Sequence, residues 1–231
     1  LTKRIRIGTA VLIIPYRNPV LLARMLITID QFSGGRVILG AGVGWLKEEF
    51  EVLDAADFAL RGKVTDEYLE IFKALSAGGE VGYQGETYSF PPVHSVPGSV
   101  QRPHPPILIG GVSNPALRRV VKQGSGWLAV ALGPQEMPER LAALKRISET
   151  HGRRFEDLDL VYKIFINPGE PKLGPFGARD MGSGSEAQIV DDLKSIFDAG
   201  FTSIIVRYRG DSAAAQMEQM ERFASDIAPK L

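Results

Sequence analysis

Apolar positions fall into two textures that alternate along the chain. Short, predominantly apolar runs occur at Ile5 to Ile14, Val37 to Leu39, Ile107 to Ile109, Gly126 to Ala131, Leu158 to Ile166 and Ser203 to Val206. They are too short and too rich in β-branched residues for helices, and they read as parallel strands covered on both faces. Between them apolar residues recur at helical spacing. From Pro19 to Phe32 the stripe is Val20, Leu21, Ala23, Met25, Leu26 and Ile29, and Ser33-Gly34-Gly35 ends it with the residue preferred for a left-handed cap. A short helix follows Leu46, and a longer one from Arg61 to Ser76 turns Val64, Tyr68, Ile71, Phe72 and Leu75 to one side. Further helices are predicted for Asn114 to Gln123, Gln135 to Thr150, Glu186 to Ala199 and Ala213 to Ile227. Asn114-Pro115 supplies an N-cap and a first-turn proline, and Ser185 caps the helix that follows it.

Two stretches interrupt this rhythm. Gly78 to Pro106 is rich in proline and glycine, with short runs on either side of Gly85 that predict a small hairpin followed by an extended segment. A long loop of this kind is either cladding on the surface or a lid beside a site. Gly169 to Ser183 is a second long loop.

Six strand-then-helix units without an internal repeat describe an α/β domain with a parallel sheet. As they stand they fit an open doubly wound sheet. They fit a closed (β/α)8 TIM barrel if two units precede the first one here, and the start at Leu1, almost within a strand, favours the barrel. The whole of 1–231 then forms one domain, with an insertion at about 78–106.

Chemistry concentrates where strands end in glycine. The run from Arg36 to Trp45 leaves its strand through Gly40, Gly42 and Gly44, which either take up positive φ or admit a ligand to the backbone. The dinucleotide fingerprint needs another glycine spacing and an acidic residue about 20 positions on, where this chain is helical, so that reading is set aside. Ile107 to Ile109 ends in Gly110-Gly111 just before a helix N-terminus. Such a place is an anion site, because free N–H groups and the helix dipole point together, or a tight turn without a ligand.

The balance of 27 basic and 27 acidic side chains, with no basic tract, argues against nucleic acid or an anionic membrane as the main partner. Without cysteine there is no disulfide framework or thiolate zinc site, and a cytoplasmic location is the default expectation. The histidines His94, His104 and His151 lack ligand spacing, so no metal is expected. Arg207 and Arg209, closing the last strand, are placed to meet an anionic substrate group. Glu48 and Glu49 open a short helix beside the glycine turn, where acidic residues favour the dipole or serve as acid and base.

Ile13 to Val20, Ile29 to Arg36, Leu39 to Trp45, Glu48-Glu-Phe50, Pro105 to Ser113, Ala116 to Arg119 and Gly124 to Trp127 together resemble the bacterial luciferase-like monooxygenase superfamily of flavin and F420 enzymes. Gly-Val-Gly-Trp followed by Glu-Glu-Phe, with Gly-Gly-x-Ser, is most similar to its F420-dependent oxidoreductase branch. The resemblance implies a (β/α)8 barrel lacking its first two βα units, a homodimer, and a deazaflavin or FMN ring at the carboxyl ends of the strands. It implies an oxidoreductase using F420 on a small organic substrate, with an FMN-dependent monooxygenase as the alternative. Residue by residue, it implies that Thr9-Ala10 occupies the place of a non-prolyl cis peptide against the ring. Gly42, Val43 and Gly44 border the ring and its tail, and Gly110, Gly111, Val112 and Ser113 cradle the phosphate. Luciferase itself has cysteine and arginine where this chain has Gly42 and Val43, which argues against light emission. The F420-dependent sugar-phosphate dehydrogenases have a catalytic glutamate where Trp45 stands. Trp45 is then a pocket wall or a core aromatic, and the catalytic acid or base is expected upstream. A non-catalytic flavin-binding barrel remains the other function class. Leu22 and Ile27, left over from the core stripe of the first helix, suggest that a second subunit covers them.

Overall fold

The computed structural model describes residues 2–173, 179–208 and 212–231. Its strands are β1 (Ile7–Gly8), β2 (Leu12–Ile13), β3 (Val37–Gly42), β4 (Gly79–Gln84), β5 (Ser89–Ser95), β6 (Ile107–Gly110), β7 (Gly126–Val130), β8 (Asp159–Pro168), β9 (Ser183–Gly184) and β10 (Ser203–Tyr208). The helices are α1 (Pro19–Ser33), α2 (Lys47–Val52), α3 (Arg61–Ala77), α4 (Asn114–Gln123), α5 (Glu136–Thr150), α6 (Glu186–Asp198) and α7 (Ala213–Arg222). The main sheet runs β1-β3-β6-β7-β8-β10, all parallel, with β2 also on β3 and β9 on β8.

This sheet curls. Lys163 on β8 donates from its Nζ to the carbonyl of Ala10, beside β2. Four strand spacings separate β8 from β2, which in a flat sheet is roughly 19 Å, far beyond the reach of a lysine. The inner face is lined by Leu108, Leu128 and Val161, packed with Ala10, Val11, Ile38 and Ile205. The outer face carries the larger core, including Leu39, Ile107, Ile109, Trp127, Leu160 and Ile164, under the helices. The chain is therefore an α/β fold with a curled parallel sheet, built as a partial TIM barrel.

Local chemistry explains the element ends. Asn18 caps α1, its Oδ1 accepting from Val20 and Leu21 N–H, with Pro19 in the first turn. Ser185 and Gln188 form a reciprocal capping box on α6. Arg119, almost fully buried on α4, grips Asp66 of α3 with two nitrogens and donates also to Gly62 O, tying the helices together.

Three expectations are corrected. Ile5 to Ile14 is not one strand but two short ones, with the chain kinked at Thr9 to Val11. In α1 the stripe is partly displaced: Ala23 and Leu26 are buried as expected, and so are Leu22 and Ile27, whereas Leu21, Met25 and Ile29 are 60%, 50% and 42% exposed. Apolar residues surround this helix, so periodicity alone leaves its orientation open, and the buried face is marked instead by Asp30. That carboxylate accepts from the N–H groups of Val100 and Gln101 and from the Gln101 amide. The third correction is that Ser113, not Asn114, caps α4.

The Gly78 to Pro106 segment forms the expected hairpin β4-β5. Glu67 of α3 holds its turn, accepting from the N–H groups of Glu86, Thr87 and Tyr88 and from the Thr87 hydroxyl. The stretch after it is held by Arg24 and Gln31 of α1 through the carbonyls of Pro97 and Gly98. These anchors lie on α1 and α3, so the insertion clads the helical layer.

Candidate functional site at the carboxyl ends of the strands

The kink at Thr9 to Val11 organises the site. The Thr9 hydroxyl donates to Gly40 O at 2.8 Å and accepts from Gly40 N at 3.0 Å, replacing ladder bonds where the strand departs from the sheet. A Cβ at Gly40 would lie 1.9 Å from Thr9 O, so glycine is required for this approach. The non-prolyl cis bond joins Ala10 to Val11, one residue beyond the Thr9-Ala10 pair named from sequence. Val11 projects between two glycine-ended strands. A Cβ at Gly42 would meet it at 2.6 Å and one at Gly110 at 2.8 Å. On the sides tested by these Cβ positions, both glycines make room for Val11.

Gly44, at φ 81°, takes a conformation L side chains rarely adopt, and an added Cβ would strike the Phe50 ring. Val43 is half-buried beside it. Trp45 is 81% exposed and so is not a core aromatic. Tyr16, whose ring meets Phe50 edge-on, donates from its OH to Glu49 at 2.5 Å. Partial desolvation and the Glu49 carboxylate push the Tyr16 phenol up to about 12.

Gly110, Gly111, Val112 and Ser113 join β6 to α4. Gly111 has φ 112°, and its carbonyl accepts from the indole N–H of buried Trp127 at 2.7 Å, which fixes the turn. Ser113 Oγ accepts from Ala116 N at 3.4 Å, which leaves its own hydroxyl proton free to donate. Among the described residues, the N–H groups of Val112, Ser113 and Asn114 have no backbone acceptor. They open at a helix N-terminus beside an exposed serine, and a dianionic phosphate is the group such donors fit. Arg140 of α5 reaches the Asn114 side chain at 3.3 Å, bringing a cation to the same end of α4.

Arg207, expected from sequence to meet an anionic group, is joined on the inner face by Lys163 and Phe165, which were not singled out from sequence. Register pairs Lys163 with Ile205 and Phe165 with Arg207, so all four share the inner face occupied by Val161 and Ile205. Arg207 is exposed, its guanidinium carbon 5.1 Å from the Phe165 ring centroid. Burial pulls the Lys163 ammonium below its ordinary value, and the Arg207 charge adds to this. The sequence signal was there: Lys163 is the one charge within the apolar run Leu160 to Ile166. Arg209 lies outside the described residues. His94 is exposed on β5, and His104 is half-buried against Phe72. Among the described residues no group of histidine and carboxylate side chains is arranged to hold a metal ion, and no helix is long and apolar enough to cross a membrane.

The family model of luciferase-like monooxygenases matches residues 1–172. An uncharacterized protein of Mycobacterium tuberculosis is 29% identical over 238 residues, spanning 100% of this chain and 74% of that protein. An FMNH2-dependent dimethylsulfone monooxygenase of Pseudomonas putida is 32% identical over 128 residues, or 54% of this chain and 35% of its own length. Among solved structures, the coenzyme F420-dependent tetrahydromethanopterin reductase of Methanopyrus kandleri superposes with a TM-score of 0.83 at 16% identity. That superposition covers 99% of this chain and 84% of the reductase. F420-dependent and FMN-dependent proteins thus share this fold, and the chain belongs to the luciferase-like monooxygenase family.

Proposed function

We propose that the protein is an oxidoreductase that uses F420 to exchange hydride with a small organic substrate at the carboxyl ends of its strands. The observation that carries this is the β6-α4 turn, where three N–H groups without backbone acceptors, the Ser113 hydroxyl and the α4 dipole converge on one place. Gly110, Gly111, Val112 and Ser113 would hold the cofactor phosphate there. Thr9 and Ala10, with Gly42, Val43 and Gly44, would border the ring. When bound, the cofactor supplies the hydride chemistry. The chain's part is to orient it and to keep water from the reaction face through the apolar floor of Leu108, Leu128 and Val161. Trp45 and Arg207 would flank the substrate.

FMN is the second reading, favoured by the 32% identity to the FMNH2-dependent monooxygenase. A fluorescence titration of the purified protein with F420 and with FMN chooses between them. Binding of neither leaves the non-catalytic barrel. We further propose a homodimer in which Leu21, Met25, Ile29 and Phe32 of α1, the last 90% exposed, meet a second copy.

A further inference from the structure

We propose that Lys163 and Arg207 form an oxyanion subsite on the inner face of the barrel, and that the substrate carries a carboxylate or a similar oxyanion. The inference rests on the carboxyl face being the reaction face, as proposed above, and adds the substrate's chemical class.

Lys163 follows Val161 on the inward face of β8, so it rises from the apolar floor toward the carboxyl end, and Arg207 stands in the next layer against Phe165. The Lys163 ammonium donates to the Ala10 carbonyl. Of its three N–H groups, two remain to donate elsewhere. Among the described residues neither Lys163 nor Arg207 forms an ion pair. The inward residues around them, Ala10, Val11, Gly42, Gly110, Val130 and Phe165, carry no acid.

Placing Lys163, half-buried against apolar side chains, beside a second positive charge is unfavourable for the fold by itself, since the ammonium loses hydration without a counter-charge. The depressed lysine is a symptom of that cost. An incoming oxyanion removes it, taking paired hydrogen bonds from the planar guanidinium and one from the ammonium. The ring of Phe165 and the side chain of Val11 suit an apolar remainder. The phosphate cradle at the start of α4 belongs to a different strand end, so cofactor and substrate anions are held apart.

The test is calorimetric titration of the protein without cofactor, using sodium benzoate and sodium sulfate at constant ionic strength. Saturable binding is expected. Lys163→Met and Arg207→Gln should each weaken it at least tenfold, and Lys163→Arg should restore most of it. Circular dichroism checks folding. If Lys163→Met does not fold, Arg207→Gln decides, because Arg207 is exposed and lies over the Phe165 ring. Absence of saturable binding by the parent, or unchanged binding in the folded variants, overturns the subsite. Because no cofactor is present, its failure is separate from failure of the F420 and FMN titrations.

Discussion

Ser113 does two things at once in the proposed site, and substitutions can separate them. It caps α4 through Oγ, and its hydroxyl proton is free for a phosphate. Aspartate is as good an N-cap as serine, so Ser113→Asp should leave stability within about 0.5 kcal/mol of the parent. Its carboxylate, however, would sit where the phosphate binds. Unit charges about 4 Å apart at an effective dielectric constant near 20 repel by about 4 kcal/mol, and the exposure of residue 113 screens part of this. A net loss of about 1.5 to 4 kcal/mol corresponds to cofactor binding weakened roughly tenfold to several-hundredfold. Ser113→Ala should lose one charge-assisted hydrogen bond, roughly tenfold or somewhat more in affinity. Its stability cost should be only about 0.5 kcal/mol, because the cap bond at 3.4 Å is long. Ser113→Thr should preserve both roles. The assay is the dissociation constant for F420 and for FMN by fluorescence, with thermal melts followed by circular dichroism. A folded Ser113→Asp protein that binds its cofactor as the parent does would refute the phosphate assignment. Gly111→Val is a poorer probe: at φ 112°, with Ala116 Cβ 3.1 Å from an added Cβ, it strains the turn with or without a ligand.

Other consequences concern the frame of the site. Thr9→Val should cost roughly 2 kcal/mol in denaturant unfolding by orphaning the Gly40 N–H and carbonyl, and Thr9→Ser should recover it; an unchanged midpoint would show that the hydroxyl does not support the kink. Glu67→Gln should cost about 2 kcal/mol at neutral pH by weakening the hold on the hairpin turn. Burial alone would raise the Glu67 carboxyl, but hydrogen bonds from Thr87, Glu86 and Tyr88 outweigh it and hold the group below its usual range. Its contribution is therefore complete above the unfolded value of about 4.3 and is lost as pH falls through the lower folded value. The stability gap between parent and Glu67→Gln should narrow only in that acid range, and a gap independent of pH would contradict the argument. Replacing Leu21 and Phe32 together by aspartate should give a monomer by light scattering, while the parent remains a dimer at micromolar concentration; a monomeric parent removes the proposed interface.

The sequence by itself determined the alternation of strands and helices, the hairpin around Gly85, the cap at Ser185, and the glycine-ended strands, because each depends on neighbours within a few residues. It also carried the family, through motifs spread in order along the chain. Only the tertiary structure decided which way α1 faces. A helix apolar on several sides satisfies more than one packing, and the choice rests on Asp30 meeting Val100 and Gln101, about 70 residues away. The same holds inside the barrel. Gly42 and Gly110 are two strand ends that each leave space for Val11, and Trp127 fixes Gly111 from the next strand. Lys163 becomes a candidate site residue only when the sheet curls enough to bring β8 against Ala10. Local chemistry writes the elements into the chain, whereas the site is made of contacts between strand ends, whose closeness exists only after the sheet has curled.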